Sequence, residues 1–172
     1  MTEQEFFSHL SGTSKDVLDS FLRILSDHKV PYCMIGGLAV NAYVEPVVSL
    51  DMDIVVAANN LDPLLMKLPL KYTVKRESHS VNIYPPDSKL RIQIQTDPRY
   101  QEFISRANSK TVLGYTMPVA RLEDVLLGKT WVYLDAQRRP SKRQKDLADI
   151  MRIVETFPAL SKLLPPEITE RM

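Results

Sequence analysis

One segment, Leu-Asp-Met-Asp-Ile-Val-Val-Ala at residues 50–57, constrains the fold of this chain more than any other. Its branched apolar residues predict a buried β-strand, and Asp51 and Asp53 stand at its start with one residue between them. Because successive side chains of a strand point to opposite faces, the two carboxylates lie on the same face. Two like charges this close repel each other, and a hard cation such as Mg²⁺ relieves that repulsion.

A pair of glycines precedes this strand. An apolar run at residues 30–35 predicts another buried strand, which ends at Gly36 and Gly37, and a short helix is predicted over residues 38–43. Glycines at such a junction let the backbone approach a ligand closely, and free N–H groups at a helix start favour phosphate. Taken alone, the glycines indicate a turn and the aspartates a solvated strand end. Together they predict a site for a nucleotide and its metal ion.

The rest of the chain alternates between helical and strand patterns. Helices are predicted over residues 15–28, 61–68, 101–107, 121–134 and 142–157, and strands over residues 72–74, 80–84 and 90–95, with a hairpin at 111–119. This order predicts an α/β (α+β) fold with a short mixed β-sheet flanked by helices.

The length and a change in pattern suggest the domain organisation. A chain of 172 residues is long enough for one domain with its own core. Strand-like segments give way to helices near residue 120. We therefore expect a core at residues 1–120 and a C-terminal helical part at residues 121–172, both in the same compact unit.

Composition limits the cellular compartment and the partners that we expect for this chain. It has 22 Lys and Arg against 21 Asp and Glu, and the net charge of +1 argues against a broad nucleic-acid coat. The single cysteine, Cys33, excludes an internal disulfide. The acidic, polar start lacks the features of a signal peptide, and no apolar run reaches the roughly 18–20 residues of a membrane span. We expect a cytoplasmic protein with no membrane partner.

The spacing of the two motifs resembles a known superfamily. Gly36-Gly37, then thirteen residues, then Asp51-x-Asp53 is similar to the nucleotidyltransferases related to DNA polymerase beta, in their minimal bacterial form. Within that superfamily, GGLAVNAY followed by SLDMDIVV resembles the AbiEii-type toxins of toxin–antitoxin systems and their relatives. The resemblance implies the nucleotidyltransferase fold, Mg²⁺ or Mn²⁺ bound by the aspartate pair, and an NTP held by the glycines and Ser49.

The resemblance continues in the C-terminal part. Residues 122–129, 138–140 and 145–150 are similar to two C-terminal helices of the family, which close the cleft. It implies that Lys129 contacts phosphate, that Lys145 binds the nucleotide, and that Asp146 belongs to the motif of the second helix. Lys129 and Asp146 thus join Asp51 and Asp53 as the expected catalytic residues.

A run of basic residues overlaps this motif. Five of them lie within eight residues that contain no acid: Arg138, Arg139, Lys142, Arg143 and Lys145. Two interpretations are open, a solvated loop and helix start, or a patch that receives a triphosphate or an RNA backbone. Trp131, Tyr133 and Tyr43 are candidates for stacking on a base, although packing in the core or at its edge is the favoured interpretation.

The expected activity is transfer of a nucleoside monophosphate from an NTP to an acceptor hydroxyl, which belongs either to RNA, such as a tRNA end, or to a protein. A cognate antitoxin is a further partner if the chain is the toxin of a toxin–antitoxin system. A transferase of the antibiotic-modifying kind is another alternative, which additional acids in the cleft for a cationic acceptor would favour.

Departures from the family pattern keep a different class open, a catalytically impaired nucleotide- or partner-binding protein with the same fold. Val47 stands where relatives often have an arginine. Many relatives also have a third carboxylate on a later strand, and the polar face of residues 90–95 carries Arg91, Gln93 and Gln95 instead. Asp97 lies just beyond that strand and would substitute in a different register.

Overall fold

The computed structural model describes residues 14–172, so the first 13 residues of the expected core lie outside the described range. Seven strands and six α-helices alternate along this range. The strands are β1 Tyr32–Ile35, β2 Asp51–Val56, β3 Thr73–Arg76, β4 Ser80–Tyr84, β5 Arg91–Gln95, β6 Asn108–Val112 and β7 Tyr115–Val119. The helices are α1 Ser14–Asp27, α2 Gly36–Val40, α3 Leu61–Met66, α4 Leu122–Leu134, α5 Pro140–Thr156 and α6 Pro166–Thr169. Three 3₁₀ turns are Ala58–Asn60, Pro98–Phe103 and Pro158–Leu163.

The strands form one mixed sheet in the order β3-β4-β5-β2-β1-β7-β6. Strand β2 pairs with β1 in antiparallel and with β5 in parallel orientation. The antiparallel pairs β3–β4 and β6–β7 lie at the two edges of the sheet. The predicted α/β class and the mixed sheet flanked by helices are confirmed, and β2 is the middle strand.

The register of the sheet aligns the polar side chains of neighbouring strands. Asp51 is opposite Arg91 and Asp53 is opposite Gln93 across the β2–β5 pair. On its other side, Asp53 is opposite Ile35, the last residue of β1, which directly precedes the glycines. The aspartate pair therefore lies between the end of β1 and the polar face of β5.

Alternation along the strands separates this polar row from the core. Met52 and Ile54 of β2 and Ile92 of β5 are fully buried, whereas the residues between them are only partly buried. Helix α1 contributes Phe21 and Leu25 to the same hydrophobic core, which agrees with the periodic apolar stripe of its sequence.

One predicted element has a different type of secondary structure from the one expected. A helix was expected over residues 101–107, whereas the structure has a 3₁₀ turn at Pro98–Phe103. Pro98 has its φ already set for the first position of the turn, and the carboxylate of Asp97 accepts a hydrogen bond of 3.0 Å from the backbone N–H of Arg99. These two residues start the turn three residues earlier than apolar periodicity indicates.

The C-terminal helices α4 and α5 follow the last strand and pack on each other. Their bounds lie within two residues of the predicted ones. The division at residue 120 into a core and a helical part stays a prediction. Among the described residues, no helix combines the length and the apolar character needed to cross a membrane.

We predict that Phe21→Ala lowers the free energy of unfolding by about 3–5 kcal/mol, because the Phe21 side chain is fully buried and its removal leaves a cavity. Urea-induced unfolding monitored by circular dichroism measures this change. Leu70→Ala is the control, since Leu70 is fully exposed and its truncation changes stability by no more than about 0.5 kcal/mol. Equal effects of the two substitutions would contradict the description of the core.

Candidate active site

A pocket of about 440 Å³ lies between the polar face of the sheet and the helices α4 and α5. Residues that are distant in sequence meet there. All eight residues expected to act in catalysis or to bind the nucleotide or metal line it: Gly36, Gly37, Ser49, Asp51, Asp53, Lys129, Lys145 and Asp146. The structure thus brings the candidates together, and the role of each stays a prediction.

Gly36 is a position where the structure requires a glycine. Its φ of +73° lies in the left-handed region, which side chains with a Cβ rarely adopt. A Cβ at this position would also overlap the carboxylate of Asp53. Gly37 differs, because a Cβ there would lie at an ordinary contact distance of 3.5 Å from the Oγ of Ser49. Gly36 therefore permits β1 to end directly against the Asp53 carboxylate.

Asp51 is bound by a cation of the protein itself. The guanidinium of Arg91 donates from Nε to Oδ1 at 3.1 Å and from Nη2 to Oδ2 at 2.8 Å, a bidentate pair across β2 and β5. Burial opposes the charge of Arg91, but its hydrogen bonds with Asp51 and the charge of that carboxylate raise the pKa of Arg91 overall. The pocket therefore contains a fixed positive charge directly beside the aspartate pair.

Asp53 has an unusual affinity for a proton. Burial and then the neighbouring charge of Asp51 raise the pKa of Asp53 from 3.8 to about 6, while the charges of Lys129, Arg91 and Arg138 act in the opposite direction. A carboxylate that is desolvated next to another carboxylate favours any added positive charge. This is the electrostatic condition that a bound cation would relieve.

The donor atoms around the pair fit one oxygen-liganded divalent ion. Asp51 and Asp53 supply carboxylate oxygens, and the amide of Gln93 lies beside Asp53 in the sheet register. Within residues 14–172, no group of three or more acids, histidines or cysteines forms a more complete metal site. The missing third carboxylate is consistent with the departure noted in the sequence.

The three candidates for completing the pair are now distinguished. Gln93 is the residue opposite Asp53, whereas Gln95 lies opposite Val55. Asp97 is not among the pocket residues; its carboxylate binds the side chain of Arg99 at 2.9 and 3.0 Å. The alternative register in which Asp97 substitutes for the third carboxylate is therefore not adopted.

The helices α4 and α5 are joined by a buried charge cluster. Lys129 of α4 lies 3.2 Å from Asp146 and 2.8 Å from Asp149 of α5, and Arg138 binds the second oxygen of Asp146 at 2.6 Å. Burial lowers the pKa of Lys129, but the charges of Asp149 and Asp146 outweigh it and raise that pKa overall. The Lys129 ammonium is thus engaged by carboxylates, and contact with phosphate stays a prediction.

This cluster reaches the loop between α2 and β2 through Arg152. The Arg152 guanidinium binds Asp149 at 2.7 Å, the side-chain oxygen of Asn41 at 3.1 Å and the carbonyl of Glu45 at 2.5 Å. Asn41 in turn makes hydrogen bonds with the carbonyl and the N–H of Val47, at 2.7 and 3.1 Å. Sequence reasoning missed this link, because its members are separated by more than 100 residues.

The positions of the basic residues favour the second interpretation of the basic run, as a patch at the pocket. Four of its five members line the pocket, namely Arg138, Arg139, Lys142 and Lys145. Arg143 is the exception, because its Nε donates to the carbonyl of Tyr133 at 2.9 Å and its guanidinium stacks on the ring of that residue. Lysines and arginines so placed would attract an anionic ligand.

The aromatic candidates for base stacking pack within the protein. Trp131 contacts the rings of Tyr100 and Phe103, Tyr133 is buried, and the hydroxyl of Tyr43 donates to the carbonyl of Ala120 at 2.8 Å. The packing interpretation agrees with these contacts. Tyr100 and Phe103, which the sequence did not single out, are the aromatic residues that line the pocket.

Asn82 of β4 is a further pocket residue that the sequence analysis missed. It is opposite Gln93 and is only 7% exposed, and its Oδ1 has no hydrogen-bond partner within the described part of the chain. The alternation of Ser80, Asn82 and Tyr84 with two buried apolar residues was the signal that could have found it. Asp53, Gln93 and Asn82 thus form a polar row across three strands.

Comparisons with known proteins agree with this architecture. No family model and no curated protein matches the chain. Among solved structures, the antibiotic-resistance factor ANT(2'')-Ia matches with a TM-score of 0.63 at 12% identity, over 94% of each chain. The lincosamide antibiotic adenylyltransferase LnuA matches with a TM-score of 0.55 at 14% identity, over 79% of this chain and 95% of its own. A nucleotidyltransferase-like antigenic protein from Paracoccidioides brasiliensis matches with a TM-score of 0.55 at 19% identity, over 85% and 78%.

These similarities establish the fold. The chain adopts the nucleotidyltransferase fold, as the resemblance of its glycine and aspartate motifs to that superfamily implied. At such low identities the similarity concerns the architecture, and the chemistry depends on the residues of this pocket.

We predict that Gly36→Ala destabilises the protein more than Gly114→Ala does. Both glycines have positive φ, at +73° and +81°, so both substitutions strain the backbone by about 1–2 kcal/mol. Only Gly36 lies against Asp53, so Gly36→Ala also displaces that carboxylate. Thermal unfolding of the two variants measures the difference. Equal losses of stability would show that the contact with Asp53 does not constrain position 36.

The raised pKa of Asp53 predicts a specific dependence of stability on pH. Its ordinary value of 3.8 rises to about 6 in the folded protein, so the folded state binds the proton more tightly than the unfolded state. The free energy of unfolding contributed by this group therefore falls as the pH rises through that interval, by roughly 3 kcal/mol at most.

Asp53→Asn removes this contribution, so the wild type should lose stability relative to the variant as the pH rises from 4 to 6, measured by urea unfolding at constant ionic strength. Asp97→Asn is the control with the opposite sign. The hydrogen bond from Arg99 lowers the pKa of Asp97, so its stabilisation is lost as the pH falls. A pH-independent difference between wild type and Asp53→Asn would contradict the prediction.

Proposed function

We propose that this protein is a nucleotidyltransferase that transfers a nucleoside monophosphate from an NTP to an acceptor hydroxyl, with pyrophosphate as the leaving group. The observation that carries the proposal is a single pocket with the aspartate pair, Asp51 and Asp53, and a patch of basic residues at its helical side. A nucleoside triphosphate requires both features, because its phosphates are polyanionic and are transferred as a complex with a divalent cation.

The charge distribution supports a triphosphate as the ligand. Arg139, Lys142 and Lys145 line the pocket, and none of them has an ion-pair partner among residues 14–172. By contrast, Lys129 and Arg138 are held by Asp146. In the proposed complex, the unpaired cations bind the β- and γ-phosphates and stabilise the charge of the departing pyrophosphate.

The glycines and Ser49 complete the proposed phosphate site. Gly36 and Gly37 let the chain pass close to a ligand, and Ser49 is nearly buried next to Gly37. Lys129 and Asp146, expected from the resemblance to act in catalysis, hold α4, α5 and Arg138 in position around the ligand. Lys145 extends the same surface one residue before Asp146.

Mg²⁺ or Mn²⁺ is the cofactor that this donor set suits. Asp51 and Asp53 would hold it, with the amide oxygen of Gln93 as a neutral neighbour. When bound, such an ion neutralises phosphate charge and polarises the bond to the leaving group. Burial and the neighbouring charge of Asp51 raise the pKa of Asp53, which supports this assignment because a bound cation would relieve both effects.

The acceptor is proposed to be RNA, such as a tRNA end, or a protein hydroxyl. Unpaired cations at the pocket favour an anionic acceptor. The relatives in fold include adenylyltransferases of antibiotics: LnuA was solved with lincomycin bound, and ANT(2'')-Ia with adenylyl-2''-tobramycin. A cationic antibiotic would need several free acids. Of the two additional acids of the pocket, Asp124 is paired with Arg106 and Arg121, and only Asp135 has no ion pair within residues 14–172.

The resemblance to AbiEii-type toxins leads to a finer proposal, a toxin of a toxin–antitoxin system that acts in the cytoplasm. Blocking of an essential RNA or protein by nucleotidyl transfer would account for toxicity. Neutralisation by a cognate antitoxin would then require that partner to cover the pocket or its acceptor.

A second candidate is a nucleotide- or partner-binding protein with the same fold and no turnover. The ion pair between Arg91 and Asp51 favours it, since a carboxylate engaged by a guanidinium binds a metal ion less strongly. Gln93 favours it as well, because an amide cannot serve as the base that accepts a proton from the acceptor.

A transfer assay separates the two candidates. Each of the four labelled NTPs is incubated with the full-length protein, Mg²⁺ and total RNA or cell extract, and labelled products are separated on denaturing gels. We expect labelled RNA or protein with wild type and at least a hundredfold less with Asp53→Asn, about the loss that removal of one key polar group causes.

Asp97→Asn is the matched control, because Asp97 lies outside the pocket. It should retain the activity of the wild type. The absence of transfer with all four NTPs, together with nucleotide binding in equilibrium dialysis, would overturn the enzyme proposal in favour of the binding protein. Equal activity of Asp53→Asn and wild type would disprove the role of the aspartate pair.

A further inference from the structure

The polar face of β5 presents a guanidinium and an amide to the aspartate pair, and no third carboxylate that would complete a site for two metal ions. Arg91 is opposite Asp51, and Gln93 is opposite Asp53. The immediate surroundings of the aspartate pair thus contain two carboxylates, one neutral amide and one arginine. This composition differs from a cluster of three carboxylates in both charge and donor atoms.

The net charge of this group is unsuited to two divalent ions. Two ionised aspartates and one guanidinium sum to −1, so a single divalent ion already reverses the sign. A second one would meet net positive charge, with only the nucleotide phosphates to offset it. Close positive charges in a pocket repel strongly, and arginine does not lose its proton under physiological conditions.

The geometry leads to the same conclusion. The guanidinium of Arg91 contacts both oxygens of Asp51, at 3.1 and 2.8 Å, and its bidentate arrangement occupies one side of that carboxylate. Each carboxylate oxygen has two lone-pair sites, so an oxygen that accepts one hydrogen bond from Arg91 can still bind a cation. An ion shared by the two aspartates is therefore compatible with the Arg91 pair, whereas a second ion on the side of Asp51 that the guanidinium occupies would have to displace Arg91.

We propose that Arg91 is a built-in cation that takes the place of a second divalent ion, so that this pocket binds one divalent ion with its nucleotide. The inference rests on the proposed function only in that the pocket takes a nucleotide together with a divalent ion. Arg91 acts on Asp51 and is a positioning residue: it fixes the Asp51 carboxylate and places a positive charge beside it.

The number of ions bound tests this directly. The full-length protein with a saturating non-hydrolysable ATP analogue is titrated with Mn²⁺, and free Mn²⁺ is measured by electron paramagnetic resonance, with the binding of the analogue alone subtracted. We expect one Mn²⁺ per chain in the wild type. In Arg91→Gln, we expect that ion to bind about tenfold more tightly, because a neighbouring positive charge has been removed.

A second pair of variants separates the charge of Arg91 from the missing carboxylate. Gln93→Glu adds an acid beside Asp53 and keeps Arg91, so it should still bind one ion. The double variant, Arg91→Gln with Gln93→Glu, should bind two ions at the spacing of a coupled pair, seen as dipolar broadening in the spectrum. A purely structural role of Arg91 would change the stability of these variants and leave the number of ions unchanged.

Arg99→Gln is the matched control, because Arg99 forms a similar ion pair with Asp97 outside the pocket. Its ion binding should equal that of the wild type, and circular dichroism verifies that every variant is folded. Two ions in the wild type or in Gln93→Glu would overturn the inference. So would the absence of bound Mn²⁺, or equal affinities in Arg91→Gln and Arg99→Gln.

The outcome is independent of the transfer assay. One bound ion in a protein that transfers nothing would refute the enzyme proposal and leave the assignment of Arg91 intact. Transfer activity with two bound ions would support the enzyme proposal and refute the assignment of Arg91.

Discussion

The parallel pairing of β2 with β5 sets the chemistry of the pocket. In this register the polar faces of the two strands coincide, so each aspartate of β2 receives one fixed neighbour, Arg91 for Asp51 and Gln93 for Asp53. The two carboxylates consequently differ although they are only two residues apart. One is bound by a guanidinium, and the other is desolvated with a pKa raised to about 6. The charges of Lys129 and Arg138 act on the second of these carboxylates as well.

Much of this arrangement could be predicted from sequence because it depends on local patterns. Alternation along residues 50–57 and 90–95 fixed which side chains share a face, and the glycines marked the end of β1. The position of Pro98–Phe103 could not be predicted from apolar spacing, since Asp97 and Pro98 determine where that turn begins. The register between β2 and β5 could not be predicted from the sequence either, because the pattern of β5 is compatible with several offsets. Only the assembled sheet distinguishes Gln93 from Asp97 as the neighbour of Asp53.

The roles of the charged residues in the C-terminal helices could likewise be predicted only in part. A basic run is visible in the sequence, but which of its members face the pocket depends on how α5 packs. The structure separates Arg143, which binds Tyr133, from Lys142 and Lys145, which line the pocket. Lys129 was expected to be a phosphate ligand, and its two buried carboxylate partners became apparent only when α4 and α5 were placed side by side. Long-range ion pairs leave no periodic signal in a single sequence.

The hydrogen bonds of Arg152 give α5 a mechanical connection to the opposite side of the pocket. Through Asn41, they attach this helix to the loop that leads into β2, so hydrogen bonds join the helix of the basic patch to the segment that contains Ser49. A link of this kind favours preorganisation, which reduces the entropy lost when a flexible ligand is clamped from two sides. Arg152 and Asn41, which make the link, do not themselves line the pocket.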